Sequence, residues 1–303
     1  MFKLKLKQLY IIYLIFLMIK KTVKIKFEKI ATLEKFKNFK KKKVNPVHKK
    51  NIKEVYREYE QEEWAGLFSK IKKLKLNNVH ITDIDKIYNN FCDKNFFFDD
   101  GFFYYGNNKY ILNKYNAIYI KTISKFLKKN NNSIVELGAG YGSKIFNLAK
   151  SLKKKSTFFA GEYSANGRKI MSLINKKNMI SKIFKCNLLD KELTEPIPKN
   201  SIIFTSYALH YTPKIKKNFY LYFKKANPKV IIHFEPFFEV HDYRKVYGKM
   251  CKNYIAYNDY CKNQLSTFKK LDKEKKIKIL FLKKNIFGSN PLLPISILAW
   301  KFK

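Results

Sequence analysis

The chain has 303 residues, of which 46% are hydrophobic and 29% charged, so it can bury a sizeable core and is not expected to be disordered. Its 64 lysine and arginine residues outnumber 23 aspartate and glutamate residues, which gives a formal net charge of +41 at pH 7 and favours non-specific binding to polyanions. Arginine, the usual residue of phosphate-binding forks, occurs only at Arg57, Arg168 and Arg244. The lysines therefore fit a compositional bias as well as a functional basic surface.

The first 50 residues are rich in lysine and are predicted to form a basic N-terminal extension or linker (1–50). They contain one apolar run, Leu9–Ile19, which is too short for a membrane-spanning helix of about 20 residues. No small-residue cleavage site follows it, as a signal peptide would require. A packed extension, an interfacial membrane anchor and a signal peptide stay open. We expect no integral membrane span and a cytoplasmic protein, with peripheral membrane contact as the alternative.

Residues 51–130 are predicted to form a helical cap or substrate subdomain. Apolar and aromatic residues at spacings of three and four predict a helix over 52–76, and residues 83–92 suggest a shorter one. An aromatic stretch, 96–105, surrounds a turn signal and comes shortly before the first strand of the next region.

Residues 131–303 are predicted to form an α/β domain, because strands alternate with helices in the manner of a parallel sheet. The predicted strands are Ser133–Leu137, Thr157–Gly161, Lys182–Asn187, Ser201–Ser206, Val230–Glu235, Ile277–Leu282 and Ile295–Lys301. A long helix is predicted over 243–271. The last two strands have a short connection without a helix, which favours antiparallel pairing. The expected fold is therefore Rossmann-like α/β, with a seven-stranded sheet whose last strand is antiparallel and with helices on both faces.

A glycine-rich segment follows the first predicted strand and opens a helix. It reads Glu136-Leu137-Gly138-Ala139-Gly140-Tyr141-Gly142, and glycines there let the backbone turn sharply and approach a ligand closely. The segment resembles the acidic-x-Gly-x-Gly-x-Gly pattern of class I S-adenosylmethionine (SAM)-dependent methyltransferases. The resemblance implies SAM as cofactor and implies that Glu136 supports the bend and the amino end of the methionine. The residues implied to line the cofactor are Gly138, Ala139, Gly140, Tyr141 and Gly142.

Polar residues at the ends of the next three strands extend the predicted cofactor site. Glu162 ends the second strand 22 residues past Gly140, at the spacing of a carboxylate that accepts hydrogen bonds from ribose hydroxyls, and Tyr163 follows it. The resemblance implies that Asn187, at the end of the third strand, holds the adenine amino group. Ser206 ends the fourth strand, whose carboxyl end is expected to face the site.

The segment 205–208 bears on the methyl acceptor. It lacks the Asp/Asn/Ser-Pro-Pro-aromatic motif of enzymes that methylate exocyclic base nitrogens, and no cysteine follows a proline, as C5-pyrimidine enzymes require. Oxygen methylation needs only an aligned hydroxyl and a base. His210 and Glu235, near the ends of the fourth and fifth strands, are the candidate catalytic bases. His233 shares strand parity with Glu235 and is a candidate substrate contact.

The C-terminal half resembles the sugar O-methyltransferases found among surface-polysaccharide genes. The residues that carry this resemblance are Phe234-Glu235-Pro236, Asn258-Asp259-Tyr260, Asn290-Pro291, Pro294, Ser296 and Trp300. Asp259 is a poor helix former on a mostly apolar predicted helix, and we expect it to contact substrate. Tyr104 belongs to an aromatic stretch where such enzymes commonly build a lid, although core packing is the alternative. No metal site is expected, because the acidic and histidine residues near Glu235 match no metal signature.

We therefore predict a SAM-dependent methyltransferase that O-methylates a small molecule, namely a sugar, glycan or nucleotide-sugar precursor, by direct transfer. An RNA-directed methyltransferase that uses the lysine-rich segment 35–50 is one alternative. A non-catalytic protein of the same fold with an interaction role is another. The methyl acceptor and the oligomeric state stay open.

Overall fold

The computed structural model describes residues 22–41, 51–74, 79–129, 132–152, 156–188, 192–212 and 214–303. The apolar run Leu9–Ile19 lies outside these residues, as does part of the lysine-rich segment 35–50. Within the described residues, no helix is both long and apolar enough to cross a membrane.

The described residues contain eleven strands that form one mixed sheet. The strands are β1 Val23–Ile25, β2 Lys94–Asp99, β3 Phe102–Asn107, β4 Asn132–Leu137, β5 Ser156–Glu162, β6 Lys182–Asn187, β7 Glu192–Leu193, β8 Ile202–Ser206, β9 Val230–Glu235, β10 Ile277–Gly288 and β11 Ile295–Phe302. Their order is β1-β3-β2-β10-β11-β9-β8-β4-β5-β6-β7. The five central strands β6, β5, β4, β8 and β9 run parallel, and β11 is antiparallel to both of its neighbours.

The sheet is larger than the sequence predicts. Strands lie at each of the seven expected places, but the expected total of seven is wrong because four further strands extend both edges of the described sheet. On one edge, β2 and β3 form an aromatic hairpin that joins β10 where Phe287 pairs with Asp99. Three consecutive phenylalanines in β2 hide the alternation of polar and apolar residues by which a half-buried strand is recognised.

Helices cover both faces of the sheet. The α-helices are Phe27–Thr32, Glu34–Lys37, Ile52–Tyr56, Trp64–Lys73, Ile81–Asn89, Asn108–Ile123, Ser143–Leu152, Ala165–Ile174, Val246–Tyr257 and Gln264–Lys273, with a π-helix at Arg57–Glu63. Short 3-10 helices are Asn38–Lys40, Ser124–Phe126, Asn175–Lys177, Leu209–Tyr211, Lys217–Ala226 and Phe238–Val240. Successive strand residues point to opposite faces, so Ile134 packs in one hydrophobic cluster and Val135 in the other.

The predicted long helix over 243–271 is instead two helices. The first ends at Tyr257, and the backbone of Asp259 has a φ of 50°, a left-handed conformation that interrupts a right-handed helix. The amide of Cys261 in this break donates to the carbonyl of His210 at 2.8 Å. The unusual Asn258-Asp259 pair therefore marks a helix end that contacts the loop after β8.

The N-terminal regions are part of the same sheet. Where the sequence predicts a linker, residues 22–41 are folded: β1 pairs with β3, and Phe36 and Phe39 are buried. The side-chain amide of Asn253 donates to the carbonyls of Phe39 and Lys41, both at 2.7 Å. The predicted cap, 51–130, contributes helices and also β2 and β3, so the sheet is continuous across the expected boundary near residue 130.

Candidate active site

A cavity of about 460 Å³ opens at the carboxyl ends of the parallel strands β4, β5, β6 and β8. This is the edge at which open parallel sheets bind ligands. Residues from the predicted cofactor site that line it are Gly138, Ala139, Gly140, Tyr141, Glu162, Tyr163, Asn187 and Ser206. The lining also includes His210 and several tyrosine side chains. Chain segments far apart in sequence therefore meet at one cavity.

The glycine-rich bend forms one wall of the cavity. Gly138, Gly140 and Gly142 have φ values of 76°, 59° and 89°, in the region that residues with a side chain rarely adopt. A Cβ on Gly138 would lie 2.5 Å from the Cβ of Ala208, and one on Gly140 would lie 2.9 Å from the Trp64 ring. Only glycine fits both the conformation and the space. Gly142 does not itself line the cavity, because it packs against Phe146 and Met171 beneath the bend.

Glu162 is turned towards this bend. Its carboxylate accepts the backbone N–H of Gly140 at 2.6 Å and that of Ser164 at 2.8 Å. Burial raises the pKa of Glu162, although these two N–H groups favour the charged form. A carboxylate has about four lone-pair sites, so two bonds leave capacity for a ligand's hydroxyl groups. The position and orientation suit a ribose ligand.

Glu136 lies below the cavity rather than in its lining. One carboxylate oxygen accepts the N–H of Ile145 at 3.0 Å. The other has no hydrogen-bond partner among the described residues and lies 3.7 Å from Nζ of Lys144, which does line the cavity. Burial raises the pKa of Glu136 to about 7. This placement fits the predicted support of the bend, and Lys144 is the neighbouring charged side chain that reaches the cavity wall.

His210 lines the same cavity as the glycine bend and contacts Glu235. Its Nδ1 is 3.3 Å from a Glu235 oxygen, and its ring packs against those of Tyr211 and Tyr260. Glu235 also accepts the N–H groups of Ala208 and Leu209, both at 3.0 Å. Burial alone would raise the pKa of Glu235, but the bonds from His210 and these amides hold it below the ordinary value.

Four of the residues predicted to act in catalysis or to contact substrate do not line the cavity. Glu235 is fully buried, and one of its oxygens lies 3.3 Å from Nδ1 of His210. His233 is a core residue whose pKa burial lowers to about 4, and it is bonded to Thr205 and Trp300. Tyr104 stacks on Phe97, with the ring centroids 5.4 Å apart.

Asp259 is the fourth predicted residue that does not line the cavity. It sits at the break between two helices, 3.9 Å from Nζ of Lys262, and is absent from the cavity wall. Strand parity and helix spacing indicate which face a side chain takes, but they do not indicate what covers that face. The structure therefore places His233, Tyr104 and Asp259, which the sequence predicts as substrate contacts, outside the wall of this cavity.

The sequence missed most of the aromatic lining. The additional lining residues include Val55, Tyr59, Trp64, Tyr88, Leu112, Tyr115, Asn116, Tyr119, Tyr207, Tyr211, Ser289, Asn290 and Leu293. Tyr115 and Tyr119 are four residues apart and share a helix face, which is a signal that sequence inspection could have used. Tyr207 has a φ of 51°, and its hydroxyl lies 2.8 Å from that of Tyr115. Nothing in the sequence indicates that conformation.

Two buried carboxylates fasten the N-terminal helices over the bend. Glu60 accepts the N–H of Asn166 at 3.0 Å and the hydroxyl of Ser164, at the start of the helix Ala165–Ile174. Asp85 accepts the hydroxyls of Tyr141 at 2.9 Å and Ser143 at 2.6 Å. Acidic groups are favourable at helix N-termini, so each carboxylate anchors the N-terminal helices to the start of a helix that flanks the cavity.

Among the described residues, no group of three or more histidine, cysteine, aspartate or glutamate side chains is placed to hold a metal ion. The lining near His210 consists of hydroxyl, amide and aromatic groups.

No protein-family model and no curated protein matches the chain. Among solved structures it is similar to a SAM-dependent methyltransferase from Aquifex aeolicus, at 13% identity over 60% of this chain and 88% of that chain, with a TM-score of 0.41. It is also similar to the small RNA methyltransferase HEN1, at 12% identity over 63% of this chain and 25% of that chain, with a TM-score of 0.45. The mitomycin 7-O-methyltransferase MmcR aligns at 11% identity over 57% of this chain and 49% of that chain, with a TM-score of 0.40. The chain thus spans a quarter to a half of the latter two proteins.

Proposed function

We propose that the chain is a SAM-dependent methyltransferase that methylates a hydroxyl group. The observation that carries this proposal is the contact between Glu162 and the glycine bend. A strand-end carboxylate that faces a bend of three positive-φ glycines, beside a cavity of about 460 Å³, suits the ribose and methionine parts of SAM.

The residues around the bend suit the rest of the cofactor. Glu162 would hold the ribose hydroxyls, and Asn187, which is buried at the end of β6, would face the adenine. Lys144, which lines the cavity, would meet the carboxylate of the methionine end, and Glu136 would support the bend from beneath. When bound, SAM supplies an electrophilic methyl group.

The acceptor end of the cavity supplies a base. Glu235 accepts a hydrogen bond from Nδ1 of His210, which leaves Nε2 as the nitrogen that can take a proton. An acceptor hydroxyl beside Nε2 would lose its proton to His210 as its oxygen attacks the methyl group. Burial raises the pKa of Tyr207 and Tyr211, so both stay neutral and serve as hydrogen-bonding walls.

The chemistry of the lining favours a small polyhydroxylated acceptor such as a sugar, a glycan or a nucleotide-sugar precursor. Tyrosine rings offer flat apolar surfaces, and Ser289 and Asn290 offer polar groups at the same end. Oδ1 of Asn116 is buried without a hydrogen-bond partner among the described residues, so it can accept a bond from a ligand hydroxyl.

The test is methyl transfer from labelled SAM to a panel of nucleotide sugars, glycans and RNA. We expect label on a sugar hydroxyl, and a His210→Asn variant that loses about 10²- to 10⁴-fold in rate while still binding SAM. His80→Asn is the matched control, since His80 is exposed at the start of a helix outside the cavity. Label on RNA alone would select the RNA-directed alternative. Failure of the folded protein to bind SAM would leave a non-catalytic role.

A further inference from the structure

A continuous chain of hydrogen bonds runs through the core behind the cavity and ends at His210. Nε1 of Trp300 donates to Nε2 of His233 at 2.9 Å, and Nδ1 of His233 lies 3.0 Å from the hydroxyl of Thr205. That hydroxyl donates to one Glu235 oxygen at 2.9 Å, and the other oxygen faces Nδ1 of His210 at 3.3 Å. Three neighbouring strands, β11, β9 and β8, supply the first four members.

Each bond in this chain has only one workable direction. An indole N–H can only donate, so Nε2 of His233 must be the acceptor and its single proton must lie on Nδ1. His233 is neutral, because burial lowers its pKa to about 4. Its Nδ1–H therefore donates to Thr205, and the one hydroxyl proton of Thr205 is directed at Glu235. Trp300 thus determines the orientation of a hydroxyl that it does not touch.

Because these groups are buried, the loss of one hydrogen-bond partner is not compensated by water. Trp300, His233, Thr205 and Glu235 are fully buried, and His210 is 1% exposed, so water does not replace a missing partner. The other titratable groups whose rings pack around His210 are Tyr207, Tyr211 and Tyr260. Burial raises the pKa of all three, so they are neutral at pH 7 and Glu235 supplies the negative charge that His210 meets.

We propose that Trp300, His233 and Thr205 are positioning residues that keep Glu235 ionised and so hold the proton of His210 on Nδ1, with Nε2 presented to the cavity. We call this chain of hydrogen bonds from Trp300 to His210 the relay. Its effect on catalysis rests on the function proposed above. The relay itself is a property of the protein without cofactor or acceptor. It adds three residues to the site that do not line the cavity.

The test is the NMR titration of the Glu235 carboxyl carbon and the tautomer of His233, read from its ring nitrogens, in the protein without ligands. Thr205→Val removes the hydroxyl donor, so the pKa of Glu235 should rise relative to the parent protein, and Thr205→Ser should restore it. Trp300→Phe should raise it less, because the freed Nε2 of His233 lets the proton move and the Thr205 hydroxyl turn away. Phe268→Leu is the packing control, since Phe268 stacks on His233 without a hydrogen bond; it should leave the titration unchanged.

The relay is overturned if Trp300→Phe and Phe268→Leu leave Glu235 equally unchanged while the fold stays intact, or if His233 in the parent protein carries its proton on Nε2. Where an acceptor has been identified, Thr205→Val should lower kcat about tenfold with KM little changed, and Thr205→Ser should recover it. An intact relay in a protein without methyl transfer would refute the proposed function and leave the relay standing.

Discussion

Two glutamates, Glu162 on β5 and Glu235 on β9, both end a strand but differ in their hydrogen-bond partners and in their access to the cavity. Both are buried, and both accept backbone N–H groups from a nearby loop. Glu162 accepts two such bonds and lines the cavity. Glu235 accepts from Thr205, from the amides after β8 and from His210, which fills its roughly four lone-pair sites. The number of internal donors, rather than the strand position, therefore separates a carboxylate that can still accept bonds from a ligand from one whose acceptor capacity is already used.

The largest expected effect is the loss of stability in Glu235→Ala. The substitution leaves Thr205, His210 and two backbone amides without their acceptor in a dry interior. Removing one partner of such a buried charged cluster costs about 3–5 kcal/mol in the free energy of unfolding. Glu162→Ala should cost less, about 1–3 kcal/mol, because it leaves two amides beside an open cavity. Urea denaturation of both variants measures the difference, and equal losses would remove the distinction between the two glutamates.

A third buried glutamate, Glu136, should make the stability of the protein depend on pH. Its pKa is about 7 in the folded protein against an ordinary value of 4.5, so between these values the folded state binds a proton that the unfolded state has lost. Stability from this group is complete at low pH and falls as the pH rises through 7. Glu136→Gln should therefore gain stability relative to the parent protein across that window, by up to about 3 kcal/mol. A difference that does not vary with pH would mean that Glu136 titrates normally.

Substituting a glycine of the bend should damage ligand binding more than stability. Gly140→Ala places a Cβ 2.9 Å from the Trp64 ring at a φ of 59°, and we expect the affinity for S-adenosylhomocysteine to fall at least about tenfold. Gly101→Ala is the matched control, because Gly101 has a φ of 90° but open space around it. Both variants should lose about 1–2 kcal/mol of stability. A similar affinity loss in both would show that backbone strain alone, and not the position of the bend, is responsible.

The placement of Glu162 beside the glycine bend can be predicted from the sequence much better than the contacts of Glu235. Glu162 follows from its spacing to the glycines, because both are fixed by local strand and turn geometry. The role of Glu235 depends on the path of the loop after β8, including the positive φ of Tyr207, which no local pattern specifies. His233 shares strand parity with Glu235, but parity does not reveal that Trp300 on β11 covers it.

The N-terminal part of the chain illustrates the same limit. The helix containing Trp64 is predicted from its spacing, but its contact with Gly140 is a long-range one. The hairpin of β2 and β3 lacks a readable alternation, so its place in the sheet is missed. Elements follow from local sequence, whereas the docking of one element on another depends on packing across the whole chain.

The smallest expected effects are at residues that the sequence pointed to and the cavity excludes. Tyr104→Phe and Asp259→Asn should leave the affinity for S-adenosylhomocysteine and the rate of methyl transfer unchanged, because neither residue lines the cavity. Calorimetry and the labelled-methyl assay check this. A loss of rate in either variant would mean that the substrate reaches beyond the cavity wall described above.

Calorimetric titration of S-adenosylhomocysteine into the protein and its Glu162→Gln variant tests the central claim most directly. We predict one binding site per chain and a loss of affinity of at least about tenfold in the variant, because a neutral amide accepts ribose hydroxyls less well than a carboxylate. Glu195→Gln, which alters a surface glutamate paired with Lys182, should bind as the parent protein does. Equal affinity in Glu162→Gln, or no binding by the folded parent protein, would contradict the account.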